Sequence, residues 1–300
     1  MRTDRNWRFT PLDLTVGLGL LAGAAYLFYR IRVGLHYDWN WAVIPQYLFR
    51  YDETDGWVPN LLMQGFFTTI RLSVWGTLMA LTIGLVMGFL RVSRRFFARL
   101  FAGLYVELIR NIPPLVLIFI FYYFISSQIM PMLGVDEFIR RQPASTQSAV
   151  AFFLAPPRQL STFLSALVTL ALFEGAYITE IVRSGIQSID KGQWEASSAL
   201  GFSRRQQMRH VILPQAARIA LPPLAGQFIS TIKDSAIVSV ISIQELTFQG
   251  MELMAATYLT FEVWITVTAL YLILTLACSL AVERLEVYMS RSYGTAPNRA

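Results

Sequence analysis

Charged side chains at membrane depth are costly unless they face a partner or a water-lined path. The few that interrupt the apolar runs of this chain are therefore its first candidates for chemistry. Arg71 stands about a dozen residues into one run, Glu174 inside another, and Lys233-Asp234 break a third. Tyr177, one helical turn after Glu174, and Ser235, next to Asp234, place hydroxyls beside them. Such groups can line a path, offering transient partners to the ammonium and carboxylate of a zwitterion, or they can lock helices together. The residue types leave both roles open. Lys233 and Asp234 are adjacent and cannot face each other on a helix, so each needs another partner, and Arg71 or Glu174 could supply it in a buried network. Glu107 with Arg110, and Glu180 with Arg183, lie three residues apart and read as anchoring pairs near the cytoplasmic side, with a possible gating contribution.

Other chemistries lack their residues. The only two lysines, Lys191 and Lys233, precede Gly192 and Asp234, so neither completes a G-x-x-x-x-G-K-S/T phosphate loop. His36 and His210 have no cysteine near them, which removes a metal-ligand cluster. Neither histidine is placed for a nucleophilic triad. Cys278, the single cysteine, falls in the last apolar run and reads as a packed small hydrophobe.

The elements that must position the charges are membrane helices. With 300 residues, 55% hydrophobic and 15% charged, the chain has too few ionisable groups to cover a soluble globule. A helical span needs ~20 mostly apolar residues, and six candidates stand near 12–29, 61–90, 100–126, 160–182, 216–241 and 259–282. The runs are continuous rather than alternating, so they are helices and not barrel strands. With a cytoplasmic N-terminus, sixteen Lys and Arg fall inside, among them Arg2, Arg5, Arg8 and Arg299, against six outside. That bias predicts cytoplasmic termini and a cytoplasmic 183–215 loop. The net charge of +6 then reflects topology and anionic lipid rather than nucleic acid.

The first run follows three arginines and could be misread as a signal peptide. It is long, however, and continues into Tyr26-Leu27-Phe28-Tyr29 rather than a small-residue cleavage site. Trp39 to Pro59, rich in Trp and Tyr, is expected along the outer interface. Residues 131–159 read as an enlarged external loop that could contact an external partner. Pro113-Pro114 and Pro222-Pro223 mark either hinges near a path or the first turns of helices.

One polar segment remains, Glu195 to Pro214. It is written as two short helices meeting at a glycine. Gly192 to Leu200 puts Ala196, Ala199 and Leu200 on one face, and Gly201 suits a left-handed position just past the helix. Ser203 with Gln206 fits a capping box, and Pro214 is expected to close the pattern.

Glu195, Ala196, Gly201 and Leu213-Pro214 fall at the spacing of the EAA loop of ABC importer permeases, and the segment resembles it, with Ser197 and Val211 as mild departures. Gly65 to Ser73, Tyr105 to Leu115 and Gly175 to Ile189 resemble further blocks of the polar amino-acid uptake subfamily, in family order. Lys233 to Ile237 resembles its K-D-T-S-L segment. The likeness covers roughly residues 58–290.

The resemblance implies an all-α integral membrane fold of about six helices, a five-helix permease core plus one extra N-terminal helix. Residues 1–57 would hold the cytoplasmic N-terminus, the extra helix and the interfacial segment. Residues 58–290 would be the permease domain, with its coupling loop at about 192–214, and 291–300 a cytoplasmic tail. It further implies a subunit of an ATP-driven importer of polar L-amino acids in the cytoplasmic membrane. Its partners would be a cytoplasmic ATPase dimer that binds the ATP and Mg, a second permease subunit, an external amino-acid-binding protein and membrane lipid. Gly192, Glu195, Ala196, Ser197, Ala199, Leu200, Gly201, Leu213 and Pro214 would couple to the ATPase. An ion-coupled secondary transporter would use the intramembrane charges directly, but it predicts internal repeats, and the two halves show no self-similarity. A membrane-bound enzyme lacks a catalytic constellation.

Overall fold

The computed structural model describes residues 11–34, 37–54 and 56–292. Arg2, Arg5, Arg8, His36 and Arg299 lie outside the described residues. Two compact units divide at Trp41 and Ala42. In the first, α1 (Pro11–Gly34) exposes large apolar side chains all round, including Leu12, Leu14, Leu18, Leu20 and Leu21. A helix that is apolar on every face suits lipid.

The second unit begins ahead of the boundary expected at Val58. The chain passes through α2 (Ile44–Leu48) and a hairpin of β1 (Phe49–Asp52) with β2 (Gly56–Pro59). The strands pair antiparallel, Tyr51 opposite Trp57, with the two rings edge to face at 5.8 Å. Asn60 ties the segment down, its Nδ2 donating to Gln46 O at 2.6 Å and its backbone N–H to Leu48 O at 2.9 Å. Ile44 is buried with Leu62, Leu246, Leu253, Val263 and Val267. The aromatic segment is therefore partly built into the helical body.

Two long helices form the spine, α3 (Leu61–Arg91) and α9 (Leu160–Gln187). Gly76, Ala80, Gly84 and Gly88 repeat every fourth residue on the buried side of α3, the small-residue stripe that lets membrane helices approach closely. A Cβ at Gly84 would sit 2.3 Å from Ile178 Cγ2, and one at Gly88 2.6 Å from Val182 Cγ1. Glycine is required there by contact distance.

The span expected at 100–126 is broken. α4 (Phe96–Asn111) ends before Ile112 and Pro113, both extended, and α5 (Pro114–Phe124) starts afresh. Proline drives the residue before it out of the helical region and is favoured at the first helical position. Pro113-Pro114 therefore starts a helix, whereas Pro222-Pro223 lie inside one. Beyond a π-helical turn at Ile125–Ile129, the expected external loop folds into α6 (Met130–Leu133), α7 (Val135–Arg140) and α8 (Ala144–Phe153). Trp75 Nε1 donates to Phe153 O at 2.9 Å and Ser161 Oγ to Asp136 Oδ1 at 2.6 Å, so this cap is fastened to α3 and α9.

After α9 come α10 (Lys191–Ala199) and α11 (Arg204–Gln206). A π-helical stretch, Gln207–Ile212, then runs straight into α12 (Leu213–Asp234). Pro214 does not close the pattern. It sits at the junction of the π-helical stretch with α12, where the widened turn accommodates the proline ring and its missing N–H within a continuous helix. A 3₁₀ turn at Ser235–Ile241 leads to α13 (Leu246–Thr257) and α14 (Thr260–Ser292). Five helical stretches among the described residues are long and apolar enough to cross a membrane, Leu61–Arg91, Pro114–Leu133, Pro157–Gln187, Arg204–Ile241 and Thr260–Arg284, with Pro11–Tyr26 a shorter apolar helix. Seventy-two per cent of the α9 span is buried against 6% of the α14 span. α9 is thus the axis of the bundle and α14 its exposed edge.

Candidate coupling surface and translocation path

The polar segment after α9 folds by local rules. Asp190 caps α10, its Oδ1 accepting from Gly192 N at 2.6 Å. At the other end Gly201 N donates to Ser198 O at 3.0 Å and Phe202 N to Ser197 O at 3.2 Å. This is the paired C-terminal closure that needs a left-handed residue, and Gly201 supplies it at φ +79°. Ser203 and Gln206 then form the capping box of α11, Gln206 Oε1 accepting from Ser203 N at 2.8 Å.

The helix so made is locked to the bundle on one side and open on the other. Gln215 Nε2 on α12 donates to Gln193 Oε1 at 3.1 Å. Trp194 packs with Val182, Ile189 and Leu213, and the Arg204 guanidinium lies 4.1 Å from its ring centroid. Ser197 is buried, its hydroxyl donating to Trp194 O at 3.0 Å. Gly192, Glu195, Ala196, Ala199 and Leu200 are exposed, Leu200 to 75%. A small apolar face with one carboxylate, on a helix that cannot rotate away, can take a partner and pass displacement to α9 and α12. Of the nine residues assigned to coupling, Ser197 and Leu213 point into the bundle and hold the helix in place.

Within the spans the charges separate into two groups. Glu174 is fully buried on α9; Gln227 Nε2 of α12 donates to its Oε2 at 2.6 Å, and Oε1 has no hydrogen-bond partner among the described residues. The half-buried Asp234 carboxyl faces it electrostatically. Lys233 is exposed, and the buried Ser235 hydroxyl donates back to Ile232 O at 2.8 Å. Tyr177 stacks edge to face with Phe173 at 5.3 Å, and the Arg110 guanidinium stands 5.5 Å from its ring centroid.

Arg71 does not join this group. Its Nη1 donates to Ala151 O at 2.8 Å, Nε to Phe67 O at 3.2 Å and Nη2 to Thr68 Oγ1 at 3.2 Å. It lines a cavity of about 210 Å³ with residues 155–163 and 242–244. Ser242 is eight residues past Asp234, roughly 12–16 Å along a helix. The expected network between Arg71 and Lys233-Asp234 is therefore not formed, because the charges stand at different depths.

The C-terminal ends of α3, α4 and α9 meet in an ion network. Glu180 Oε1 takes Arg91 Nε at 3.3 Å, and its Oε2 takes Arg183 Nη2 at 2.7 Å. The expected Glu180 and Arg183 pair is present. Glu107 instead lies 3.9 Å from Arg91 Nη2 and accepts from Asn111 Nδ2 at 3.0 Å, while its expected partner Arg110 turns to Tyr177.

Gln227 and Glu245 carry no signal in sequence. Glu245 is buried at the start of α13, accepting from Thr247 N, Phe248 N and the Tyr271 hydroxyl, each at 2.8 Å. Burial pushes its carboxyl up to about 7, against these hydrogen bonds, which pull it down.

A helical bundle with an exposed short helix tied to its long helices, and buried polar groups between its central helices, is compatible with a transport permease. The family model of binding-protein-dependent transport system inner membrane components matches residues 80–294. The chain belongs to that family and is a membrane permease subunit. It is 36% identical over 254 residues to the glutamine transport system permease protein GlnP of Escherichia coli (strain K12), which spans 84% of this chain and 97% of that protein. It is 31% identical over 251 residues to the glutamate/aspartate import permease protein GltJ of the same organism, 83% of this chain and 94% of that one. Among solved structures, an amino acid ABC transporter crystallised with histidines matches at 32% identity and a TM-score of 0.60, over 76% of this chain and 94% of the other. The MetNI methionine ABC transporter, at 22% identity and a TM-score of 0.56, shares the fold.

Proposed function

We propose that this chain is the permease subunit of an ATP-driven importer of polar L-amino acids, glutamine, glutamate and aspartate foremost, in the cytoplasmic membrane. Two permease subunits, alike or sister chains, form the channel between them. An external binding protein delivers the amino acid, and a cytoplasmic ATPase dimer that binds the ATP and Mg drives the cycle. The observation that carries this reading is the exposed Glu195, Ala196, Ala199 and Leu200 face on a helix bound to α9 and α12. Glu195 makes a polar contact in the ATPase groove, Ala196, Ala199 and Leu200 pack there, and Gly201 permits the turn. Closure of the ATPase dimer then tilts α9 and α12 and reopens the bundle on the other side. Both termini and the 183–215 loop are cytoplasmic, which puts the α6 to α8 cap outside. Glu174, Tyr177 and Asp234 line the path, with Lys233 and Ser235 at its edge.

The test is purification of the chain with its associated proteins. A bound ATPase and ATP-dependent uptake, inhibited by glutamine or glutamate in competition with other amino acids, are expected. Uptake driven by an ion gradient with no ATPase bound would overturn the reading.

A further inference from the structure

Arg71 is a half-buried guanidinium, and among the described residues no carboxylate stands within ion-pair distance of it. A buried cation without a counter-charge is among the costlier things a fold can hold. Three of its five N–H groups are satisfied, Nε and one on each Nη. Two remain, one on Nη1 and one on Nη2, a fork that matches the two oxygens of a carboxylate.

The fork stands at a cavity. The space of about 210 Å³ is rimmed by Thr68, Gln159, Thr162, Ser242 and Gln244. Gln159 Nε2 donates to Gln244 Oε1 at 2.9 Å, so the two carboxamides are already paired and one amide of Gln244 is left to donate. Phe163 and Ile243 supply apolar wall. The guanidinium is held by α8 through Ala151 O, which fixes its place before any ligand arrives.

We propose that this cavity is an outer binding site for the α-carboxylate of an amino acid, held by the Arg71 fork, and the first contact the substrate makes with the chain before it reaches Glu174. The inference rests on the importer reading and deepens it. The substrate enters as a zwitterion: a cation at the mouth takes its carboxylate, and the carboxyls of Glu174 and Asp234 further in take its ammonium. The two charged groups that do not form one network are thereby given complementary halves of one ligand.

The test uses the permease with its ATPase in lipid nanodiscs. Replacing the single cysteine, Cys278→Ser, and introducing Thr162→Cys places one thiol in the cavity wall; Thr68→Cys is a second position should the first not assemble. The rate of modification by a neutral methanethiosulfonate is read with L-glutamine or its α-carboxamide analogue present. Protection by L-glutamine but not by the analogue, with about a tenfold higher L-glutamine concentration needed in Arg71→Gln, is the expected result. Equal protection by both compounds, or by neither, overturns the proposal. Protection by the substrate-free binding protein alone also overturns it, and assigns the fork to an acidic side chain of that protein. ATP-dependent uptake by the wild-type complex is measured in parallel, so that loss of the site and loss of the importer reading are told apart.

Discussion

The exposed helix α10 and the buried Glu174 site are built from opposite materials. The hydrogen bonds that cap α10 at its two ends join residues at most five apart: Asp190 to Gly192, Gly201 to Ser198, Phe202 to Ser197. The Glu174 site joins residues from α9 and α12 that are 53 apart in sequence. One is a local device presented to solvent, and the other exists only when the bundle is assembled. A change in the first should therefore cost function and spare the fold. A change beneath the second should cost both.

The largest effect is expected at the contact on which the buried site depends. Gly84→Leu drives a side chain into Ile178 at the α3 and α9 interface, costing about 3 kcal/mol. Loss of folded protein from detergent extracts, by size-exclusion profile, is the expected outcome. A monodisperse, active variant would show that the spine is looser than its contact distances. Next come the changes that should separate function from fold. Gly201→Val forces a β-branched residue to φ +79°, at about 1–2 kcal/mol or more, and Glu195→Lys reverses the one charge on the docking face. Uptake falls roughly thirtyfold or more, the scale of losing a desolvated charged contact, while membrane insertion is unchanged. Normal ATP-dependent uptake in both variants would remove the coupling role from α10.

Glu174→Gln keeps the shape of the buried site and removes its carboxyl. Relative uptake of neutral and acidic amino acids should shift roughly tenfold, the worth of one charged hydrogen bond. An unchanged profile would make Glu174 a helix-locking residue. The smallest effect belongs to Glu245. Its carboxyl is raised in the fold to about 7 from an ordinary value of 4.5, so between those values the folded state holds more protons than the unfolded one. Stability then falls as pH rises through that window and levels off above it. Melting temperature in detergent should show that slope in the wild type and lose it in Glu245→Gln; a slope kept in the variant would assign it to another group.

The contrast also explains what could be read early. The capping box at Ser203, the left-handed Gly201 and the apolar face at Ala196, Ala199 and Leu200 are short-range patterns, and the structure reproduces them. Five of the six expected spans are helical stretches long and apolar enough to cross, and the first is a shorter apolar helix, since apolar length is local. The single span drawn through Pro113-Pro114 failed because an apolar run conceals a backbone break. The ion pair drawn between Glu107 and Arg110 failed because spacing names a possible partner, not the one that wins. Arg91, from another helix, took the carboxylate, and the Tyr177 ring took the guanidinium.

Sequence alone determined that this chain lies in a membrane, that it lacks a phosphate loop, and that one polar segment folds as two short helices meeting at a left-handed glycine, because composition, motif and capping act over a few residues. Tertiary structure alone decided that Glu174 meets Gln227 while Arg71 faces a separate cavity. The physical reason is depth. Apolar runs fix which residues enter the membrane, whereas the offset of one helix against another, set here by the small-residue contact of α3 with α9, fixes which charges stand level.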